Sequence, residues 1–217
     1  MPAAVDEMWH RRHDYFNLIC IPVIIATNFY YLSLVLYDYS LPNATDHGST
    51  TRLEWAYSVM FWVFNVYMAA DVLWLLAVPR CVASPGMIIL HHIVSILGWI
   101  TPIYDSGIRP WTAAAATVEL NTFFLIARRN CRASRVLDAG FLATWVLLRL
   151  GVYPYIAVGY YQMFAEHIHV RAGVNVYSGS YACLLLLMAL NLKWTIDLVQ
   201  KYCGAGVYHT STKSKGL

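Results

Sequence analysis

Six long apolar blocks constrain this chain more than any other feature of its sequence. Each block holds 18 to 26 residues, and at ~1.5 Å rise per residue a helix of that length crosses the ~30 Å hydrocarbon core of a bilayer. Tyrosine and tryptophan stand at many of the block ends, where amphipathic rings favour the membrane interface. The six predicted spans are residues 16–37, 55–78, 87–104, 110–127, 136–161 and 177–200.

The composition agrees with a membrane protein and excludes a soluble domain. Of the 217 residues, 59% are hydrophobic and only 12% are charged, and the mean hydropathy is +0.50. A soluble domain of this size needs more charge to cover its surface. The sequence has no internal repeat or low-complexity tract. It therefore predicts one all-α polytopic domain over residues 16–200, preceded by a leader at 1–15 and followed by a tail at 201–217.

Charged residues in the loops predict the orientation of the six spans. One side holds both termini, the second loop and the fourth loop, and it carries ten cations against three on the other side. By the positive-inside rule, both termini are expected in the cytosol. Asn43 begins an N-glycosylation sequon in the first loop, on the opposite side and close to the first span.

The last five residues resemble a sorting signal. The chain ends in Lys213-Ser-Lys215-Gly-Leu217, which is similar to the Lys-x-Lys-x-x retrieval signal of endoplasmic reticulum membrane proteins. Such signals are addresses read by a receptor on the cytosolic side, where the charge rule places this terminus. We therefore expect the protein in the endoplasmic reticulum, with membrane lipids rather than nucleic acid as partners.

Two adjacent histidines, His91 and His92, lie inside the third span. Ionisable side chains are costly in lipid and usually face a cavity or a partner, so each is a candidate functional residue. The others within spans are Asp71, Glu119, Arg149, Lys193 and Asp197. Four spans place such a group 4 to 8 residues from the predicted cytosolic end, in a layer roughly 6–12 Å deep. The sequence thus predicts a polar layer near the cytosolic surface.

The spacing of these groups leaves two interpretations open. Adjacent helix positions point about 100° apart, so one histidine can line a cavity while Asp71 or Glu119 holds the other. A carboxylate that orients a histidine is the usual arrangement of a catalytic base. In the alternative, the histidines only bond helices together. An adjacent pair lacks the i, i+4 spacing of a metal site, and we expect no metal or cofactor.

The residue pattern resembles the TLC domain family, which comprises the ceramide synthases and their smaller relatives. The most specific part is the His-His pair after a short proline-containing loop, with Glu-x-x-Thr in the following span. The residues that carry the resemblance are Asp71, Pro85, His91, His92, Glu119, Asn121, Thr122, Arg128, Arg149, Pro154, Asn191, Lys193 and Trp194. They extend over spans two to six.

The resemblance implies a helical bundle around a lipid-accommodating cavity, with sphingolipid or fatty acyl chains as partners. In the ceramide synthases, the paired histidines serve acyl transfer from acyl-CoA to the amine of a sphingoid base. The candidate catalytic residues here are His91, His92, Glu119 and Asp71. The candidate substrate-binding residues are Asn121, Thr122, Arg149, Asn191 and Lys193. Lys193 also has the alternative of snorkelling to the surface or pairing with Asp197 one turn on.

One departure from the ceramide synthases weighs against catalysis. Those enzymes carry a second motif, His-Asp-x-x-Asp, whose position here begins at Val118, 27 residues after His91. Glu119 supplies a carboxylate, but the histidine and the second aspartate are missing. We therefore expect a role in lipid homeostasis through lipid binding, sensing or membrane composition. The alternatives are an acyltransferase with acyl-CoA as co-substrate and a cargo receptor of the secretory pathway.

Overall fold

The computed structural model describes residues 2–40, 47–131, 134–168 and 176–213, and these residues are almost entirely helical, without a strand. The all-α prediction is confirmed. The helices are α1 Pro2–Ser40, α2 His47–Ala77, α3 Pro85–Gly98, α4 Thr101–Tyr104, α5 Arg109–Ala116, α6 Glu119–Asn130, α7 Arg135–Thr144, α8 Tyr153–Ile168 and α9 Val176–Lys213. Asn43 and most of the terminal retrieval signal lie outside the described residues.

Five helical stretches among the described residues are long and apolar enough to cross a membrane. They are Asp6–Asp38, Thr50–Ala77, Pro85–Tyr104, Arg135–Ala165 and Tyr177–Lys201. These stretches agree with five of the six predicted spans and indicate an integral, multi-pass membrane protein. Large apolar side chains such as Leu36, Trp62 and Leu73 are exposed on the outer faces of the helices, as expected of surfaces that contact lipid.

The fourth predicted span, 110–127, differs from a single regular helix. It divides into α5 and α6 at Thr117 and Val118, whose backbone amides bond to the carbonyls three residues before them, of Ala114 and Ala115, at 3.3 Å each. This is the hydrogen-bond pattern of a tightened 3₁₀ turn. This predicted span is less apolar than the other five because it contains polar residues from Glu119 onward.

The first helix begins well before the apolar block that marks the first predicted span. α1 continues without interruption from Pro2 to Ser40, so the segment expected as a leader is helical and continuous with the span. His13 and Asp14 are buried, and Asp14 accepts hydrogen bonds from Arg129 at 2.8 Å and Asn130 at 2.7 Å at the end of α6. The N-terminal turns of α1 therefore belong to the bundle.

A close contact between α5 and α8 gives a test of how the helices pack. A β-carbon at Gly159 of α8 would lie 2.7 Å from ring atoms of Trp111 in α5, so the absent side chain allows the helices to approach. We expect Gly159→Leu to destabilise the protein by about 1–3 kcal/mol through overpacking. Gly179→Leu is the matched control because a β-carbon there meets nothing within 4 Å. Equal thermal unfolding of the two variants in detergent would contradict this packing.

Candidate functional site

A buried carboxylate on α2 joins the first three helices. Asp71 is only 1% exposed. Its Oδ1 accepts a hydrogen bond from Nε2 of His13 at 2.6 Å, and its Oδ2 accepts one from Nε2 of His92 at 2.7 Å. Hydrogen bonds to ionised groups are roughly twice as strong as neutral ones. Asp71 therefore fixes the orientation of one histidine of the pair and ties α1 and α3 to α2.

The polar group around Asp71 extends along α1 and includes residues that the sequence reasoning missed. The hydroxyl of Tyr67 donates a hydrogen bond to Oδ1 of Asn17 at 2.9 Å. The Asn17 amide in turn lies 3.4 Å from the ring nitrogens of His13. His10, His13, Asp14 and Asn17 are spaced by three and four residues, so they share one face of a helix. That spacing was the available signal, but the expected boundary at residue 16 placed His10, His13 and Asp14 in the leader and only Asn17 in the membrane domain.

His91 points away from Asp71. Its ring centroid is 5.4 Å from that of His92 and 5.4 Å from that of Trp194, whose ring it meets edge to face. His91 and His92 are both buried, and Nδ1 of each has no hydrogen-bond partner among the described residues, but only His91 lines a cavity. A buried nitrogen without a partner costs free energy, so it calls for a water or ligand. The two adjacent histidines thus have different surroundings, one held by a carboxylate and one at a cavity.

A narrow internal cavity lies beside His91. Its volume is about 50 Å³, and its lining includes His91, Ser95, Trp99, Glu119, Tyr153 and Tyr160. A cavity of this size accepts a few waters or a small polar group. Pockets for drug-sized ligands hold ~300–1,000 Å³. The cavity in this conformation is therefore much smaller than the lipid-accommodating cavity that the family resemblance implies.

Glu119 is the second ionisable group at the cavity. It is the first residue of α6, immediately after the tightened turn, and it is 3% exposed. No Lys, Arg or His nitrogen in the described part of the chain lies within ion-pair distance of its carboxylate. A ligand in this cavity would therefore meet both the imidazole of His91 and the carboxyl group of Glu119.

Arg149 organises a second polar cluster on the next span. Its Nε donates to Oδ1 of Asn121 at 2.8 Å, and its Nη1 donates to Oδ1 of Asn191 at 2.5 Å. A longer contact of 3.4 Å joins its Nη2 to the hydroxyl of Thr122. The guanidinium also lies over the ring of Trp194 at 5.5 Å. Because Trp194 touches His91 as well, this tryptophan connects the two clusters.

The helices that carry these groups depart from α geometry near the site. Residues Trp145–Val152 form a π-helix between α7 and α8, and Arg149 lies within it. Such segments are rare and are frequent at functional sites. On the opposing chain segment, the 3₁₀ turn at Thr117 and Val118 precedes Glu119. Two irregular stretches thus present the carboxyl group and the guanidinium to the interior.

The structure brings together all but one of the candidate residues. Asp71, His91, His92 and Glu119 form one group, while Asn121, Thr122, Arg149 and Asn191 form the adjoining one. Lys193 does not join either group. It is about half exposed and pairs with Asp197 at 2.6 Å on the outer face of α9. The depth of Lys193 matched the polar layer, but its helix face did not.

The described residues show neither a cluster of metal-ligating side chains nor a disulfide. They contain no group of three or more His, Cys, Asp or Glu residues arranged to hold a metal ion. The four described cysteines are unpaired. Cys81 lies in the turn between α2 and α3, where burial, followed by the negative charge of Asp71, raises the pKa of its thiol. A raised pKa keeps the thiol protonated and unreactive at neutral pH.

Comparison with known protein families identifies the domain. The model of the TLC domain matches residues 15–200. The chain belongs to the TLC domain family. The resemblance inferred from the residue pattern is thereby confirmed, and the match includes both polar clusters. His13 lies just before the matched residues, although it shares the carboxylate of Asp71 with His92. No curated protein and no solved structure matches the chain.

Proposed function

We propose that this TLC domain protein acts in membrane lipid homeostasis by binding a lipid head group between His91 and Glu119. The observation that supports this most directly is the buried His91 ring, which lines a cavity and has a nitrogen without a partner. A buried imidazole nitrogen without a partner is expensive in lipid unless a ligand or water satisfies it. The carboxyl group of Glu119, which lines the same cavity, has a hydrogen bond with Thr122 but no ion pair in the described part of the chain. Both are suited to a head group that offers hydrogen-bond donors.

The small volume of the cavity suits part of a lipid head group rather than acyl chains. Aromatic side chains of Phe64, Trp99 and Tyr153 form much of the wall, and such rings combine apolar area with polar edges. The volume of about 50 Å³ leaves room for part of a head group, so the acyl chains would remain along the outer faces of the helices. Next to this wall, the ring of His92, which Asp71 holds by a hydrogen bond, lies 5.4 Å from that of His91.

Lipid profiles of cells that lack the chain test this role. We expect altered sphingolipid or phospholipid composition, restored by the wild-type chain but not by His91→Ala at equal expression. Lys193→Ala is the control, since Lys193 lies on the outer face with Asp197, and it should restore the profile fully. An unchanged profile in the deficient cells, or full rescue by His91→Ala, would be inconsistent with the proposal.

Acyl transfer is a second candidate, favoured by the hydrogen bond between Asp71 and His92. A carboxylate that orients a histidine supports general base catalysis, and here the oriented ring of His92 lies 5.4 Å from that of His91, which lines the cavity. In this reaction the lipid amine attacks the thioester carbon of acyl-CoA, and the C–S bond breaks. His91, which faces the cavity, would take the proton from the nitrogen and return it to the leaving thiolate.

A membrane assay with acyl-CoA and a sphingoid base separates the two candidates. Amide formation by the wild-type chain that is lost in His91→Ala would establish the enzyme. Turnover that is absent, or equal in His91→Ala and wild type, would exclude it and leave lipid binding. The incomplete second motif after Val118 and the small cavity are the reasons to rank acyl transfer second.

We further propose that the protein resides in the endoplasmic reticulum with both termini in the cytosol. The excess of cations on one side of the predicted topology supports the orientation, and the terminal Lys-x-Lys-x-x sequence supports the location. An epitope tag at the N-terminus, and an antibody against the untagged C-terminal tail, should both bind after permeabilisation of the plasma membrane alone. A tag that becomes accessible only when internal membranes are opened would refute the orientation.

A further inference from the structure

The outer face of α1 carries positive charge where this helix enters the membrane. Glu7, Met8, Arg11, Arg12 and Tyr15 share one open, shallow face of this helix. Glu7 is neutralised because its carboxylate pairs with Arg11 at 2.7 Å. The guanidinium of Arg12 has no carboxylate partner among the described residues and lies 5.1 Å over the ring of Trp9. This face therefore offers one oriented cation to an anionic group.

The same face continues into an exposed apolar stripe within the first membrane-spanning stretch. On the same helix, Ile19 and Val23 are 71% and 50% exposed, at positions that follow Met8 and Tyr15 along one stripe. From Arg12 to Val23 the helix rises ~16 Å, which is about the depth of one leaflet of the hydrocarbon core. A phospholipid with its phosphate at Arg12 would thus place its acyl chain along this stripe.

We propose that this face of α1 is a binding site for one anionic phospholipid in the leaflet at the N-terminal end of the helix. Arg12 would bind the phosphate, since a guanidinium forms paired hydrogen bonds with phosphate oxygens. The Trp9 ring holds the guanidinium in place, and the Tyr15 hydroxyl lies at the interface, where tyrosine is favoured. The site is separate from the His91 cavity and does not depend on the function proposed for it.

Native mass spectrometry of the purified full-length protein tests this site. The probes are phosphatidylserine and phosphatidylcholine with identical acyl chains, titrated against the wild type, Arg12→Gln and Arg52→Gln. We expect the wild type to prefer phosphatidylserine and Arg12→Gln to bind it about fivefold more weakly, the factor expected for one arginine at a membrane surface. Arg52→Gln is the control, because Arg52 is exposed near the start of α2, at the opposite end of the helix pair.

The outcomes separate this site from the internal one. Wild-type affinity for phosphatidylserine in His91→Ala shows that the bound lipid is not the cavity ligand. Equal affinity for the two lipids in the wild type would overturn the proposal. So would an unchanged affinity in Arg12→Gln, or an equal loss in Arg12→Gln and Arg52→Gln.

Discussion

Asp71→Ala is expected to destabilise the protein more than any other single change at the site. The substitution removes the acceptor of two buried hydrogen bonds, from His13 and His92. Each buried donor left without a partner costs about 1–3 kcal/mol. The three helices that the carboxylate joins would also lose a common contact. Thermal or denaturant unfolding in detergent measures the free energy of unfolding of the variant.

Two further substitutions test whether the loss of stability comes from the buried, charged acceptor at Asp71 and not from the loss of any carboxylate. Asp71→Asn keeps an oxygen acceptor but loses the charge, so we expect a smaller loss of stability than for alanine. Asp138→Ala removes a carboxylate that is 61% exposed and 3.8 Å from Arg128, and exposed pairs contribute only about 0–1 kcal/mol. If Asp71→Ala unfolded at the same temperature as Asp138→Ala, the carboxylate would not join the helices as described.

Arg149→Met is expected to have the second-largest effect. It leaves the amide oxygens of Asn121 and Asn191 without their donors, at about 1–3 kcal/mol for each buried group. It also removes the cation between Trp145 and Trp194. Because Trp194 packs against His91, the ring of His91 would lose part of its support. We therefore expect reduced lipid binding as well as reduced stability.

Conservative and control variants define what Arg149 does. A lysine keeps the charge but lacks the planar fork that reaches two acceptors, so Arg149→Lys should recover only part of the lost stability. Arg135→Met removes an exposed arginine at the start of α7 and should change the free energy of unfolding by no more than about 0.5 kcal/mol. Full recovery by lysine would show that charge alone matters at this position.

The membrane fold was predictable from the sequence because long apolar blocks dictate helices in lipid. Five blocks agree with five membrane-spanning stretches of the structure. The fourth block was not fully predictable, since the pattern of apolar residues does not report the 3₁₀ turn at Thr117 and Val118. The π-helix at Trp145–Val152 left no recognisable signal either, because its composition is that of an ordinary span.

The sequence predicted the depth of the candidate site along the helices, but not which helix face each residue occupies. Counting from the helix ends placed Asp71, His91 and Glu119 in one layer, and the structure brings them to one region. Depth does not specify the helix face, so Lys193 entered the prediction although it pairs with Asp197 outside. His13 was missed because polar residues before an apolar block were interpreted as a leader.

The pairing of Arg149 also required three-dimensional information. The sequence indicated Arg149 only as a candidate substrate-binding residue, and the structure shows that two asparagine side chains from other helices accept its hydrogen bonds. Asn121 and Asn191 are 70 residues apart in the chain, and no local pattern connects them. Contacts between distant helices depend on their rotation about their own axes, which hydropathy determines only approximately.

Lipid mass spectrometry of the purified protein tests the central claim most directly. The claim is that the cavity at His91 and Glu119 holds a lipid head group. We predict that a specific lipid co-purifies with the wild type and with Lys193→Ala, and that His91→Ala loses most of it while remaining folded. If His91→Ala retained the same lipid in the same amount, or no lipid co-purified with the wild type, the claim would be wrong.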